Sequence, residues 1–477
     1  FFKQKTAYEI SECLVGSAVG LGNIWGFPNK MGANGGFPFL ILYLALALCC
    51  GVIIMLGELA LGRKTGHGAV GAYQSISKRF KWLGWLGIAA AALIFSFYSA
   101  LGGYCLRYVV VNFGNLIGAE FGTNGVGGAD VFQGLLSQPD VSIAFALAFM
   151  LITMLVVMSG VGGGIERVCS VGMPALFFIL IICIIRSCTL PGAVDGLKYM
   201  FVPGWAVANG IIDEAPGFWR VLTAAGGQMF FSLSLGAGVM ITYGSYLDKK
   251  QDLGKSAMII VGMDTVVALM AGLCVIPGRF ALDPSGDLGG PELLFITMQN
   301  VFDKMGPAGP VFGILFYLLV FFAAISSSIS MLEVIVAHFC DKAREKGKGD
   351  RRKLYSAIAV VICAALCALV CADGMGSNHI SPAELLGLAG AKLPGWSTSW
   401  LGLFDSVAEG LLMPLGALLM CLMISWELKP DTLRQEILLN GENRPWVYDF
   451  FRLCVKYITP LCMLMILYGQ ISDFFIV

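Results

Sequence analysis

Eleven long apolar runs, separated by short polar or Gly/Pro-rich segments, constrain this chain of 477 residues more than any other feature. They fall near residues 10–30, 37–62, 83–112, 141–160, 166–187, 217–247, 256–280, 308–340, 354–372, 400–426 and 447–475. A helix of about 20 apolar residues crosses the roughly 30 Å hydrocarbon core of a bilayer. Every backbone N–H and C=O at that depth needs an internal partner, which a helix provides. Charge content agrees: 13% of residues are charged, about half the roughly 25% of a soluble protein. A soluble enzyme of this length could not cover its surface with so little charge. The expectation is an all-α membrane protein, a single transmembrane domain over residues 1–477 with about 11 spans.

Basic residues indicate orientation, because cytoplasmic loops are enriched in Lys and Arg. With the N-terminus inside, 23 of the 31 Lys and Arg residues fall on cytoplasmic segments. The 341–353 run holds the densest group, and it reads as a cytoplasmic loop rather than a lipid or nucleic-acid site. The loop from Asn112 to Asp140 carries Glu120, Asp130 and Asp140 without Lys or Arg, as expected of an external loop. Lys+Arg equals Asp+Glu at 31 each, so net charge implies no nucleic-acid partner. Most of the 15 cysteines lie inside apolar runs and read as small apolar side chains. No external cysteine pair and no N-x-S/T sequon occurs, which points to a bacterial inner (plasma) membrane. Three scattered histidines and no nucleophile–base pair point away from an enzyme. The Gly160–Gly164 cluster is only superficially like a dinucleotide-binding turn, since no strand precedes it; it reads as a tight turn between spans four and five.

Two spans are interrupted. Span one contains Val15-Gly16-Ser17-Ala18-Val19-Gly20-Leu21-Gly22-Asn23, and span six contains Ser232-Leu233-Ser234-Leu235-Gly236-Ala237-Gly238. Glycine weakens a helix by about 1 kcal/mol relative to Ala. Unwound backbone at mid-membrane depth survives only where it lines a protein or water cavity. In one span, such glycines could simply allow close helix packing. Two such segments five spans apart fit a 5+5 inverted repeat, with spans 1–5 (about 10–187) opposed by spans 6–10 (about 217–426) and span 11 (447–475) appended. Half-helix N-termini attract a carboxylate, and unwound carbonyls suit a hard cation such as sodium. Binding both together would couple a solute to an ion gradient.

These residues resemble the neurotransmitter:sodium symporter family, in its bacterial amino-acid-transporting branch. The resemblance is carried by Gly16 to Trp25, Phe27-Pro28, Asn34-Gly35-Gly36, Gly57-Glu58, Gly62-Arg63, Ser96-Phe97-Tyr98, the Phe230-to-Gly238 run, Ile241 to Tyr246 and Phe322 to Ser328. It implies the LeuT-like fold with broken helices 1 and 6, and two sodium sites. Site 1 would use Ala18, Asn23 and Ser232; site 2 would use Gly16, Val19, Ala323, Ser326 and Ser327. The substrate carboxylate would lie on the amides of Leu21 and Gly22 beside Tyr98. Ser17, Ala18, Ile94, Phe231, Ser232, Ser234, Ala237, Ser327 and Met331 would surround the rest. Taken alone, the three serines 326–328 could equally bond back to their own helix.

Two positions narrow the substrate. The monoamine branch carries an Asp where Gly20 stands, so a glycine implies that the substrate brings its own carboxylate. Ala237 replaces a Phe or Met of some relatives, which implies room for bulky hydrophobic or aromatic L-amino acids. The same scaffold carrying a small neutral amino acid or a zwitterionic osmolyte is the alternative. Asp264 lies inside span seven, where a carboxylate signals function. Counting back from Pro277 puts Met263 at the family's sodium-ligating Asn, so Asp264 is either a site 1 ligand or a built-in substitute for the chloride that relatives hold near Tyr43, Gln228 and Ser232. Either role implies chloride-independent transport. Glu58 is expected to brace span six. Among gating positions, Asp341, Ser245 and Tyr246 fit the cytoplasmic lock, with Lys3 or Lys5 in place of its arginine. On the outside Asp405 fits, but its Arg partner is replaced by Gly26, leaving Trp25 as one candidate closing contact.

Overall fold

The computed structural model describes residues 19–123, 125–160, 166–282, 292–349, 351–387, 395–429, 432–438 and 445–475. Gly16, Ser17, Ala18, Lys3, Lys5 and Gly162, Gly163 and Gly164 lie outside the described residues. Among the described residues, every regular element is helical. Nine helices are long and apolar enough to cross a membrane: Phe37–Thr65, Lys78–Ile117, Pro139–Met158, Ser170–Cys188, Leu253–Leu282, Gly306–Glu345, Arg352–Asp373, Trp400–Glu427 and Pro445–Ser472. They coincide with spans two to five and seven to eleven.

The two remaining spans are the two expected to break. Span one passes through bent backbone at Val19 and Gly20, a wide helical turn over Gly22–Gly26, and then the α-helix Phe27–Ala33. Span six is helical over Phe218–Leu233 and again over Val239–Gly244. Between those halves Ser234, Gly236 and Gly238 have φ of 52°, 78° and 73°. The left-handed region costs a glycine little, which is why two of the three are Gly. A side chain at Gly236 would also run into the carbonyl of Met413, 2.2 Å from an ideal Cβ.

Position in the bundle follows from which faces are buried. Span three has 78% of its most apolar window inside the protein, against 28% for span five. Phe178, Ile181 and Ile185 of span five, and Val361 and Ile362 of span nine, are exposed apolar side chains that suit lipid. The most extensive helix contact joins spans three and eight, which occupy equivalent places in the two halves. The described cysteines are free thiols, most of them buried. The helix Met298–Asp303 docks on span three: Asn112 Nδ2 donates to Gln299 Oε1 at 2.9 Å.

Candidate substrate and ion site

The breaks in spans one and six face each other across a gap that only glycine permits. An ideal Cβ at Gly22 would lie 3.0 Å from the Ser232 Cα and 3.2 Å from the Phe231 ring. Span one is therefore pressed onto the last helical turn before the break in span six. Gln228 reinforces the contact, its Nε2 donating to the Gly22 carbonyl at 2.6 Å. Glu58 reaches from span two to the other side of the break, accepting the Gly236 N–H at 2.7 Å. Its other carboxylate oxygen has no hydrogen-bond partner.

Asp264 gathers four spans. Its Oδ1 accepts from Asn23 Nδ2 at 2.7 Å and from Ser232 Oγ at 2.8 Å; its Oδ2 accepts from the Tyr43 hydroxyl at 3.0 Å. Asn23 Nδ2 also donates to the Asp264 carbonyl at 2.9 Å, and Asn23 Oδ1 accepts the Gly20 N–H at 2.8 Å. Spans one, two, six and seven thus meet on one fully buried carboxylate. Met263, which the count from Pro277 put in this register, is half-buried and does not take part. Span seven is one continuous helix, Leu253–Leu282, with Pro277 inside it, and a one-residue slip moves a side chain by about 100° around such a helix. Asp264, one residue past the position counted back from Pro277, is the side chain that bonds Asn23, Ser232 and Tyr43.

The second cluster lies between spans one and eight. Ser326 Oγ sits 3.0 Å from the Val19 carbonyl and 2.9 Å from the Ala323 carbonyl. One hydroxyl hydrogen serves two acceptors, so three oxygens crowd around a single donor. Such an uncharged oxygen set fits a monovalent hard cation, whereas a transition metal would prefer nitrogen or sulfur. No group of three His, Cys, Asp or Glu residues able to hold a metal occurs among the described residues.

Tyr98 joins the clusters. Leu21 N–H donates to its phenolic oxygen at 2.7 Å. An ideal Cβ at Gly20 would lie 2.0 Å from Ser327 Oγ and 2.8 Å from the Tyr98 oxygen. There is no space at position 20 for an acidic side chain. Phe231 packs edge-on to Tyr98 with ring centroids 6.3 Å apart, and Ile94, Ala237 and Met331 are buried. Ser234 lies at the break itself. Ser17, Ala18 and Gly16, also expected here, fall outside the described residues.

The residues expected to form the cytoplasmic gate are paired with others. Tyr246 donates to Glu333 Oε1 at 2.8 Å, and Arg352 Nη2 donates to the same oxygen at 3.0 Å. Asp341 accepts the Gly68 N–H at 3.0 Å, with His67 Nδ1 4.0 Å away. Ser245 Oγ bonds back to the Thr242 carbonyl. On the other side Asp405 lines a cavity of about 290 Å³, while the ion pair is made by Lys30 and Glu409. Sequence reasoning passed over Glu333, Arg352, Lys30 and Glu409. The signal for two of them was present: Glu333 and Glu409 lie inside spans eight and ten, as Asp264 lies inside span seven.

Comparison with known proteins gives a consistent picture. The sequence profile described as "Sodium:neurotransmitter symporter family" matches residues 1–124 and 129–475. An uncharacterised sodium-dependent transporter of Bacillus subtilis is 36% identical over 467 residues, 96% of this chain and 95% of the relative. Another uncharacterised sodium-dependent transporter, from Methanocaldococcus jannaschii, is 29% identical over 443 residues, 89% of this chain and 81% of the relative. The crystal structure of MhsT in complex with L-phenylalanine superposes with a TM-score of 0.84 at 32% identity, covering 98% of this chain and 100% of that one.

Proposed function

The chain belongs to the sodium:neurotransmitter symporter family, is a sodium-dependent membrane transporter and not an enzyme, and on that footing we propose that it imports hydrophobic or aromatic L-amino acids with sodium. The observation that carries the substrate class is the crowding at Gly20. With Ser327 Oγ and the Tyr98 hydroxyl filling the space beside it, position 20 cannot present a carboxylate to a substrate amine. The substrate must supply that charge itself, as an α-amino acid does. Its carboxylate would take the Leu21 amide from the Tyr98 oxygen and receive the phenolic hydrogen in exchange. The half-helix N-terminus beyond Leu21 favours an anion there.

Sodium would bind at two sites. At the first, Asn23, Ser232 and Asp264 contribute, with Ala18 and the substrate carboxylate beside them; a sodium ion there would sit between the two negative charges and offset one of them. At the second, Val19, Ala323 and Ser326 contribute, with Gly16 and Ser327. Asp264 supplies a fixed negative charge next to Tyr43 and Ser232, so transport needs no chloride. The relative solved with L-phenylalanine favours the bulky end of the range, as does Ala237. The N-terminus is cytoplasmic in this reading, and two sodium ions stabilise the form open to the outside.

The deciding experiment is radiolabelled Phe and Trp uptake into proteoliposomes, with and without an inward sodium gradient, in chloride and in gluconate. Concentrative uptake that needs sodium and ignores chloride is expected, with Trp, Phe and Leu outcompeting Gly and Ala. Competition in the reverse order overturns the size assignment, and an absolute chloride requirement overturns the role of Asp264. Asp264→Asn should weaken apparent sodium affinity roughly 10- to 100-fold, the scale of losing a buried charged ligand.

A further inference from the structure

We propose that Lys30 and Glu409 form the ion pair that closes the extracellular side, in a cradle shaped by Gly227 and Gln470. The inference rests on the transport reading above. Position 26, where an arginine was expected, is a glycine whose side-chain space is already taken: an ideal Cβ there would lie 2.8 Å from Gln228 Oε1. The cation is supplied instead four residues farther along span one, by Lys30. The anion is likewise four residues beyond Asp405 on span ten. Four residues of helix are about 6 Å. Span one runs outward and span ten inward, so the two shifts have opposite sense. The four-carbon stem of lysine suits that longer diagonal reach.

Three features mark the pair as a device and not as an incidental surface contact. First, the Glu409 side chain is 7% exposed and that of Lys30 24%, and both line the cavity of about 290 Å³. A carboxylate this buried is costly without its partner, so the pair can part only as water enters. Second, its surroundings are fitted to it. A Cβ at Gly227 would lie 2.8 Å from Glu409 Oε1, 2.9 Å from Gln470 Nε2 and 3.6 Å from Lys30 Nζ. Any larger residue in span six would push the pair apart, and Gln470 brings span eleven against it. Third, Lys30 stands on a unit that moves as one. Arg220 of span six donates to the Ala33 carbonyl at 3.2 Å, and an ideal Cβ at Gly35 would lie 3.1 Å from Pro216. Drawing Lys30 onto span ten therefore brings the outer halves of spans one and six with it. Asp405 shares the cavity and adds negative potential near Lys30 without making the pair.

The test uses the full-length transporter in proteoliposomes, with a reporter cysteine at Ser406 in the cavity wall and the unmodified chain as labelling background. Labelling by a membrane-impermeant methanethiosulfonate is followed in sodium, with and without saturating Phe. Equilibrium Phe binding is measured in parallel. Expected for Glu409→Gln and for Lys30→Met is near-normal Phe affinity, a reporter that stays open when Phe is added, and uptake reduced roughly tenfold or more, the scale of a few-kcal/mol bias between two states. Lys30→Arg should restore protection, and Asp405→Asn should cost several-fold less uptake than Glu409→Gln. Normal protection in Glu409→Gln, or a larger defect in Asp405→Asn, overturns the proposal. Absence of Phe binding to the unmodified chain would sink the substrate assignment instead, so the two failures are distinguishable.

Discussion

The two ends of the molecule are fastened with different chemistry. On the side assigned to the cytoplasm, two arginines are held by several acceptors each. Arg352 grips Glu333 with both Nη atoms, and Tyr246 donates to the same carboxylate. Arg63, with its side chain only 1% exposed, donates to Glu436 Oε2 at 2.9 Å, to the Glu436 carbonyl at 2.6 Å and to the carbonyls of Asp248 and Gln251. On the other side a single lysine meets a single carboxylate beside a cavity. A guanidinium fork fixes both distance and orientation, whereas an ammonium is a strongly hydrated point charge on a flexible stem. The inner fastening is therefore built to persist and the outer one to exchange with water. Opening outward should cost less than opening inward, which is the bias a sodium-loaded importer needs while it waits for substrate.

The largest expected effect comes from removing one inner partner. Arg352→Ala leaves Glu333, fully buried, with only the Tyr246 hydroxyl. Orphaning a buried charge costs about 3–5 kcal/mol. The variant should lose thermal stability in detergent and show increased accessibility from the cytoplasmic side, with uptake falling by more than the Lys30→Met loss. Should Arg352→Ala prove milder than Lys30→Met in both measurements, the contrast between a fixed inner end and a labile outer one is wrong.

A more moderate effect is expected from giving the outer end what the inner end has. Gly26→Arg would place a guanidinium on span one, one turn before Lys30, which shares its cavity with Asp405. The obstacle is the end of the Gln228 side chain, which can swing away at the loss of its bond to the Gly22 carbonyl. A second tie would then act beside Lys30–Glu409. Phe dissociation should slow by several-fold, on the order of 1 kcal/mol for a partly exposed pair less the lost glutamine bond. Faster dissociation would mean that Gln228 matters more for the span one–span six contact than any added lock.

How much of this was readable in advance depends on the kind of signal. Span positions were legible because bilayer thickness sets a length that any sequence must meet, and the interruptions because Gly-rich, hydroxyl-rich segments are out of place at mid-membrane. Asp264 was legible as a functional residue but not in its register, since a proline 13 residues away cannot fix which face a helix turns inward. The gates were less legible. Lys30 and Glu409 are 379 residues apart, and nothing local in either segment names the other. A family pattern drew attention to Gly26 and Asp405, one turn away on each helix. The rule that singled out Asp264, that a carboxylate inside an apolar run must have a partner, applied equally to Glu333 and Glu409; followed through, it would have asked for their cations.

The smallest effect concerns the loop before span ten, where a fold-level feature can be separated from either lock. Ser381 and Glu384 cap the short helix Pro382–Leu385 reciprocally, and His379 Nδ1 lies 2.9 Å from Glu384 Oε1. The hydrogen bond with His379, followed by those from the Ser381 backbone and hydroxyl, holds the Glu384 carboxyl below its ordinary value. A depressed carboxylate contributes stability above its unfolded pKa, and that contribution is lost as pH falls through the lower, folded value. Thermal stability in detergent should therefore decline slightly on acidification below about pH 4.5, the ordinary range of a glutamate. Glu384→Gln should flatten that part of the profile and leave uptake at neutral pH unchanged, because the bonds of the cap stay within the 379–384 loop and involve neither ion pair. A neutral-pH uptake defect in Glu384→Gln would instead tie this loop to outward closure, and the outer end would then have a second fastening after all.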